Sequence, residues 1–184
     1  VKLVDIRKNP IAEITPWGIK TADGQSFELD AIVFATGFDA MTGAMKEIDI
    51  RGSKDVSISD KWRDGPQTYL GVMVAGFPNM FMVTGPQSPG VKSQMIFSCQ
   101  QHVDFITDAI MHLRSRQMRR IEATRMAEMA WVQHNNDVAN STLYPLANSW
   151  YMGANIPGKP RIFMPYVGGV QNYVAKCNEI VEKD

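Results

Sequence analysis

The chain has no surplus of charge of either sign: 19 lysines and arginines stand against 19 aspartates and glutamates. A surface that tracks phosphates shows as a basic excess, so nucleic acid is not expected as a main partner. No apolar run approaches the ~20 residues that span a bilayer, and no membrane segment is expected. Cysteine is scarce. Cys99 and Cys177 lie far apart in apolar surroundings, which reads as two free core thiols in a reducing cytosol rather than a disulfide. The histidines His102, His112 and His134 lack the i,i+4 spacing of a helical zinc pair and any C-x-x-C neighbour, so no metal site is expected. His102 and His112, ten apart on one helix, read as polar-face or internally satisfied histidines. A G-x-S-x-G nucleophile elbow, an internal repeat, a low-complexity tract and a G-x-G-x-x-G fingerprint are all missing. The opening VKLVDIRKNP has no charged n-region followed by a long apolar stretch, so no signal peptide is read and a cytoplasmic location is expected. It starts as if in mid-strand, which fits a fragment as readily as a whole chain.

What is present is ordinary globular material: 184 residues, 45% hydrophobic and 21% charged, enough for one full core or parts of two domains. Residues 1–36 read as β: VKLVDI, then IAEIT, GIKT and SFEL separated by turns at Pro16-Trp17-Gly18 and Ala22-Asp23-Gly24. AIVFA, from Ala31 to Ala35, is continuously apolar, as a parallel strand buried on both faces would be. Phe38 to Pro66 reads mostly as a connection, with one strand-like piece at Ile48 to Arg51. Strand character resumes at Tyr69–Val74 and Met80–Thr84. Next comes the clearest helix, in which Ile96, Cys99, Val103, Ile106, Ile110 and Leu113 recur three and four apart and predict one apolar face. A second helix is expected over Glu122–Ala139, with Met126, Met129 or Ala130, and Gln133 or His134 following a weaker version of the same spacing. Tyr144–Pro160 reads as a loop, Arg161–Val167 as a strand, and Val170–Lys183 as a final helix.

The stretch MFMVTGPQSPGVKSQM, Met80 to Met95, nearly spells the phosphate-binding pattern G-x-x-x-x-G-K-[ST]. Val91 displaces the lysine by one residue, and Pro86 and Pro89 remove two backbone donors, so that reading fails. A helix entered directly from a buried strand still presents unpaired N–H groups and a partial positive charge. Backbone donors at Gln94 and Met95 suit the pyrimidine edge of a flavin, which gains negative charge on reduction. The spacing fits equally well a core strand and helix joined by a proline-rich turn.

Four motifs in order, FATGFDAMTG (34–43), AGFPNMFMVTGPQSP (75–89), QHVDFI (101–106) and NSWYMGANIPGKPR (148–161), resemble the flavin-dependent Baeyer–Villiger monooxygenases of the cyclohexanone monooxygenase type. The resemblance runs from the first residue to the last and is to the carboxy-terminal third or so of such enzymes. It implies an α/β fold: part of a flavoprotein with two Rossmann-like dinucleotide-binding domains, for FAD and NADPH, with a small antiparallel β-meander and C-terminal helices. Residues 1–42 would close the NADPH domain, 43–68 would connect the domains, and 69–184 would complete the FAD domain. The implied activity inserts one oxygen atom of O2 next to a ketone carbonyl, giving an ester or lactone.

Residue by residue, the resemblance makes Thr36, Gly37, Gln94, Met95 and Trp150 cofactor-binding. Gly90, Val91, Lys92 and Phe163 match positions lining the ketone pocket. Gln94 stands where an asparagine is common, and Lys92 where the family is usually apolar or amide. The FAD fingerprint glycines, the F-x-G-x-x-x-H-T-x-x-W-P signature and the family's catalytic arginine have no counterpart, since Arg51, Arg63, Arg125 and Arg161 lie outside the matching context. No catalytic residue is therefore identified, and the chain alone is expected to be inactive without the missing upstream part of the same enzyme. Two other readings are a related flavin oxygenase acting on nitrogen or sulfur, and a non-catalytic binding module that kept the scaffold.

Overall fold

The structure, a computed structural model, describes residues 1–90 and 92–181. It separates into two compact units, Val1–Thr36 and the residues from Gly37 onward.

The first unit is a three-stranded antiparallel meander of β1 (Ile11–Thr15), β2 (Gly18–Thr21) and β3 (Ser26–Glu28). Register runs Thr15 opposite Gly18 and Ile19 opposite Phe27. Gly18 is required where it stands: its φ is +148°, and a Cβ there would fall 1.9 Å from the Phe27 carbonyl oxygen. The turn after β2 is closed by Asp23, whose carboxylate accepts from the Thr21 hydroxyl at 2.7 Å and the Gln25 amide at 3.0 Å. The Gln25 amide leads the set of hydrogen bonds that hold the Asp23 carboxyl down at about 2.

Two expected strands are absent. VKLVDI forms no ladder. AIVFA, expected as a doubly buried parallel strand, is irregular, with Val33 87% and Phe34 70% exposed. A strand exists only when paired, and no described residues offer these segments a partner.

The second unit is helical. Short helices α1 (Gly43–Glu47) and α2 (Ile58–Lys61) precede the long α3 (Met95–Ser115), α4 (Arg125–Asn140) and α5 (Val170–Val181). Lys183, expected within the last helix, lies outside the described residues. Residues 66–90 run through the middle of this unit, largely buried yet without a strand. Tyr69–Val74 was expected to be extended. Instead Leu70 and Gly71 take φ of 58° and 71°, turning the chain so that Tyr69 and Met73 pair with each other. Met80–Thr84 likewise makes only a single bond to the earlier segment, Met82 N–H to the Val72 carbonyl at 2.8 Å. Arg161–Val167 is not a strand either, and contributes one parallel bridge between Pro89 and Tyr166.

Buried backbone groups must still be paired, and here side chains do it. Glu128, fully buried, accepts from the Ala75 amide at 2.8 Å and from Lys61 Nζ at 2.7 Å. Glu122 accepts from the Gly76 amide at 2.7 Å. This need turns the helices away from the faces expected, although Ile106 of the expected stripe in α3 still packs against the core. In α4 the buried residues are Glu128, Trp131, Asn135 and Ala139, while Met126 is 81% exposed. In α3 they are Ser98 and His102, and Ile96 of the expected apolar stripe is 73% exposed. Thr124, expected inside the second helix, caps it by accepting from the Ala127 amide at 3.2 Å.

The apolar core lies around these polar anchors. Leu70, Val72, Met73, Trp131, Tyr166, Tyr173 and Cys177 form the main cluster, and Ile58, Trp62, Val74, Phe77 and Met82 a second. Both cysteines are free thiols; Cys177 is buried and Cys99 only half-buried. No described helix is long and apolar enough to cross a membrane.

Removing the Glu128 carboxylate strands both a buried ammonium and a buried amide. Glu128→Ala is expected to lower unfolding free energy by roughly 3–5 kcal/mol, and the double change Lys61→Met with Glu128→Met by clearly less. Urea denaturation of the three proteins checks this, and equal losses would show that the ion pair is not what matters.

Candidate functional site

Three pieces of the second unit carry the residues singled out by sequence: the turn Thr84–Gly90, the start of α3, and the loop 148–161. The turn is the most constrained. Thr84 and Gln87 are non-glycine residues with φ of 53° and 68°, conformations that cost ~1–3 kcal/mol each and persist only where surroundings impose them. The surroundings are polar and buried. The Gln87 side-chain oxygen accepts from the Thr68 amide at 3.0 Å, and its amide group donates to the Pro66 carbonyl at 3.3 Å. The Gln87 backbone N–H donates to the Met164 carbonyl, and Trp131 Nε1 donates to the Gln87 carbonyl at 3.2 Å. Ser88 hydroxyl bonds the Gly85 carbonyl at 2.6 Å, and Tyr166 N–H bonds the Ser88 carbonyl at 2.8 Å. The Thr84 amide is taken by His102 Nδ1 at 2.8 Å. The amides of Thr84 and Gln87 are committed inward in this way and are not offered to a ligand.

Beyond the turn, Gly90 is half-buried; a Cβ on it would lie 3.7 Å from Pro165 and 3.8 Å from Met95 Sδ. The structure thus brings Gly90 and Met95 together. Lys92 is exposed, and Val91 lies outside the described residues. Gln94 is the N-cap of α3 and Met95 its first residue. No side chain caps this helix and no acidic residue sits in its first turn, so the amides of Met95, Ile96 and Phe97 have no intrahelical acceptor. These three side chains are also exposed. An uncapped helix start flanked by apolar side chains suits a planar apolar ring with an electron-rich edge.

Trp150 is half-exposed on a 3-10 turn, Trp150–Met152, capped by Ser149. Its ring lies over Tyr151, centroids 3.9 Å apart. Phe163 is 3% exposed, packed with Tyr144 at 5.2 Å and Tyr151 at 6.4 Å. It therefore stands behind the Trp150–Tyr151 pair, inside the cluster of Ala139, Met152 and Val167.

Thr36 closes the first unit and Gly37 opens the second. Both are exposed, and Gly37 has φ +89°, a conformation that favours glycine. The residues after it are tied to the Trp150 loop. Asn155 Nδ2 donates to the Phe38 carbonyl at 2.9 Å, and Lys159, mostly buried, donates to the Ala40 carbonyl at 2.9 Å and pairs with the Asp39 carboxylate. Two of the four noted arginines are engaged by surface carboxylates, Arg51 by Asp49 and Asp55 and Arg63 by Asp60.

Sequence reasoning missed the residues that hold these pieces: Thr68, Gln87, His102, Trp131, Asn155 and Lys159. The one available signal was in α3, where Ser98 and His102 stand four apart on a single face that an apolar-only count overlooks.

Comparison with known proteins places this geometry. No family profile matches the chain. Acetone monooxygenase (methyl acetate-forming) of Gordonia sp. (strain TY-5) is 45% identical over 174 residues, covering 94% of this chain and 33% of that protein. Phenazine N-monooxygenase PhzNO1 of Lysobacter antibioticus is 40% identical over 184 residues, all of this chain and 34% of that one. The crystal structure of cyclohexanone monooxygenase from Rhodococcus sp. Phi1 bound to NADP+ superimposes with a TM-score of 0.93 at 42% identity, over 98% of this chain and 34% of that one. Another neighbour is a complex with FAD and NADP. The fold is thus that of a portion of the two-domain FAD/NADP monooxygenases. The homologues at 42–45% identity over most of this chain are, more narrowly, Baeyer–Villiger and cyclohexanone-type monooxygenases. The chain spans about a third of the length of these relatives.

Burial pushes the His102 imidazole down to about 4 from 6.5. Between those values the unfolded chain binds a proton that the folded chain refuses. Stability is thus full above pH 6.5 and falls as pH drops toward 4, by roughly 3 kcal/mol in all. Urea midpoints at pH 7 and pH 4.5 are expected to differ less in His102→Asn than in the unchanged protein. Identical pH slopes would remove His102 as the cause.

Proposed function

We propose that this chain is the carboxy-terminal third of an FAD- and NADPH-dependent Baeyer–Villiger monooxygenase. Such an enzyme inserts one oxygen atom of O2 beside a ketone carbonyl to give an ester or lactone. The observation that carries the reading is the superposition, at 42% identity, on one third of an NADP+-bound cyclohexanone monooxygenase. Residues 1–42 are assigned to the NADPH domain, 43–68 to the connection between domains, and 69–184 to the FAD domain.

The residues present fit a flavin: α3 offers amides without intrahelical acceptors, no capping carboxylate competes for them, and Met95, Ile96 and Phe97 leave an apolar margin. When bound, the flavin supplies the redox chemistry that activates O2. The protein's part is to bind and orient. The amides of Gln94 and Met95 would donate to the electron-rich ring edge, where the positive end of α3 would favour negative charge. Gly37 lets the backbone at the junction approach a cofactor, with Thr36 beside it. Trp150, half-exposed over Tyr151, would hold the NADP ribose, its ring covering the sugar and its indole N–H available to a hydroxyl. Gly90 and Lys92 would edge the ketone pocket, and Phe163, buried behind the Trp150–Tyr151 pair, would back it. Lys92 is exposed, and a lysine in such a place can lay its stem along apolar surface while its ammonium stays in water.

A second reading, oxygenation of a ring nitrogen, draws on the 40% identity to a phenazine N-monooxygenase. Purification of the protein at its natural length, followed by 18O2 turnover with NADPH, separates the two. Cyclohexanone or acetone converted to a lactone or ester carrying one 18O is the expected result. Phenazine N-oxide without any ester selects the second reading, and a preparation without flavin that consumes no NADPH overturns both.

A further inference from the structure

His102 is fully buried two turns into α3 and has no part in the chemistry assigned above. Its Nδ1 accepts from the Thr84 amide at 2.8 Å, and its Nε2 lies 2.8 Å from the Tyr173 hydroxyl. That hydroxyl donates to the Leu70 carbonyl at 2.7 Å. Proton accounting leaves one arrangement. Nδ1 accepts and so carries no proton; the single hydroxyl proton goes to Leu70; Nε2 therefore carries the ring proton and donates to Tyr173 Oη. Each group in the relay is satisfied only while the imidazole is neutral, since a proton on Nδ1 would face the Thr84 N–H.

Both ends of the relay are non-glycine residues in the left-handed region, Leu70 at φ 58° and Thr84 at φ 53°. For a β-branched threonine this is a genuine outlier that something must hold in place. The same helix face also reaches forward: Ser98, one turn before His102, is buried, with its hydroxyl 3.2 Å from that of Ser93 and 3.5 Å from the Gln94 carbonyl. One face of α3 thereby grips both edges of the site, the turn that ends at Gly90 and the helix start at Gln94.

We infer that His102 is a positioning residue for the flavin and ketone site: as a neutral imidazole donating from Nε2, it holds Thr84 left-handed and so sets where the turn delivers Gly90, Lys92 and the amides of Gln94 and Met95. The inference rests on the reading of that site as a flavin and ketone site. Tyr173 acts through His102 by fixing its tautomer, and the relay links α3, α5 and the turns at Leu70 and Thr84 into one unit.

The test uses the protein at its natural length with His102→Asn, His102→Phe and Tyr173→Phe. Asparagine places its carbonyl oxygen near the position of Nδ1 and keeps the acceptor for Thr84, whereas phenylalanine fills the space without it. Hydrogen exchange of the peptide covering 80–95 is read on protein stripped of flavin. FAD dissociation constant, position of the flavin absorption band, and KM against kcat for cyclohexanone are read on the reconstituted enzyme. His102→Phe is expected to speed exchange at 84–95, shift the flavin band and raise the FAD dissociation constant or the KM about tenfold, as loss of one well-placed buried bond does. His102→Asn is expected to stay close to the unchanged protein in all of these. Tyr173→Phe keeps the Thr84 bond but frees the tautomer, and is expected to fall between them. Should His102→Phe fail to fold, the order of His102→Asn and Tyr173→Phe still decides. Unchanged exchange at 84–95 in His102→Phe, a defect in His102→Asn as large as that of phenylalanine, or Tyr173→Phe closer to the unchanged protein than His102→Asn would overturn the inference. Absence of flavin from the unchanged protein would instead defeat the assignment of the site, and the exchange measurement would judge the relay by itself.

Discussion

Residues 66–90 pass through the centre of the second unit without a sheet to receive their hydrogen bonds, and the rest of that unit is arranged around this need. A buried amide left unpaired costs about as much as a core side chain contributes. Here the partners are side chains sent from the helices: Glu128 to Ala75, His102 to Thr84, Trp131 to Gln87, Tyr173 to Leu70. Burying Glu128 then requires Lys61 beside it, since a lone carboxylate would not stay charged in the core. The inward faces of α3 and α4 carry polar residues for this reason, and Ile96, Met111, Met126 and Met129 are left outside.

The same anchoring places the candidate site. A turn with strained residues at Thr84 and Gln87 can hold a fixed shape only when several independent bonds define it, and the buried network supplies them. The helix start that follows keeps its amides free because nothing caps it. On the other side, Asn155 and Lys159 tie the residues after Gly37 to the loop that bears Trp150. The helix start that a cofactor would meet is exposed, while the side chains that pin the turn before it, Gln87, His102 and Trp131, are buried.

Much of this was legible in the chain. The meander β1–β3 followed from alternating residues and an Asp-Gly turn; α3, α4 and α5 followed from spacing and length; the loop 144–160 followed from its proline, glycine and asparagine. The strands at 1–6, 31–35, 69–74, 80–84 and 161–167 were not found. An apolar run announces that it wants burial but does not say whether a neighbouring strand exists to pair with it. The helix faces were misread because an apolar count ignores carboxylates and imidazoles that go inside to serve backbone amides.

For the site, motif resemblance brought forward Gly90, Gln94, Met95 and Trp150, and the structure places Gly90 against Met95 and Phe163 behind Trp150 and Tyr151. By itself, the sequence determined which segments are helical, the hairpin turns, the absence of a phosphate loop and the kinship with the Baeyer–Villiger monooxygenases, because propensity, spacing and motif are local properties of the chain. Only the tertiary structure decided which face of each helix is buried and which side chains pin the turn before α3. Those depend on distant partners, such as Thr84 with His102 and Ala75 with Glu128, and hydrogen-bond needs of that kind arise only once folding has removed the water that would otherwise meet them.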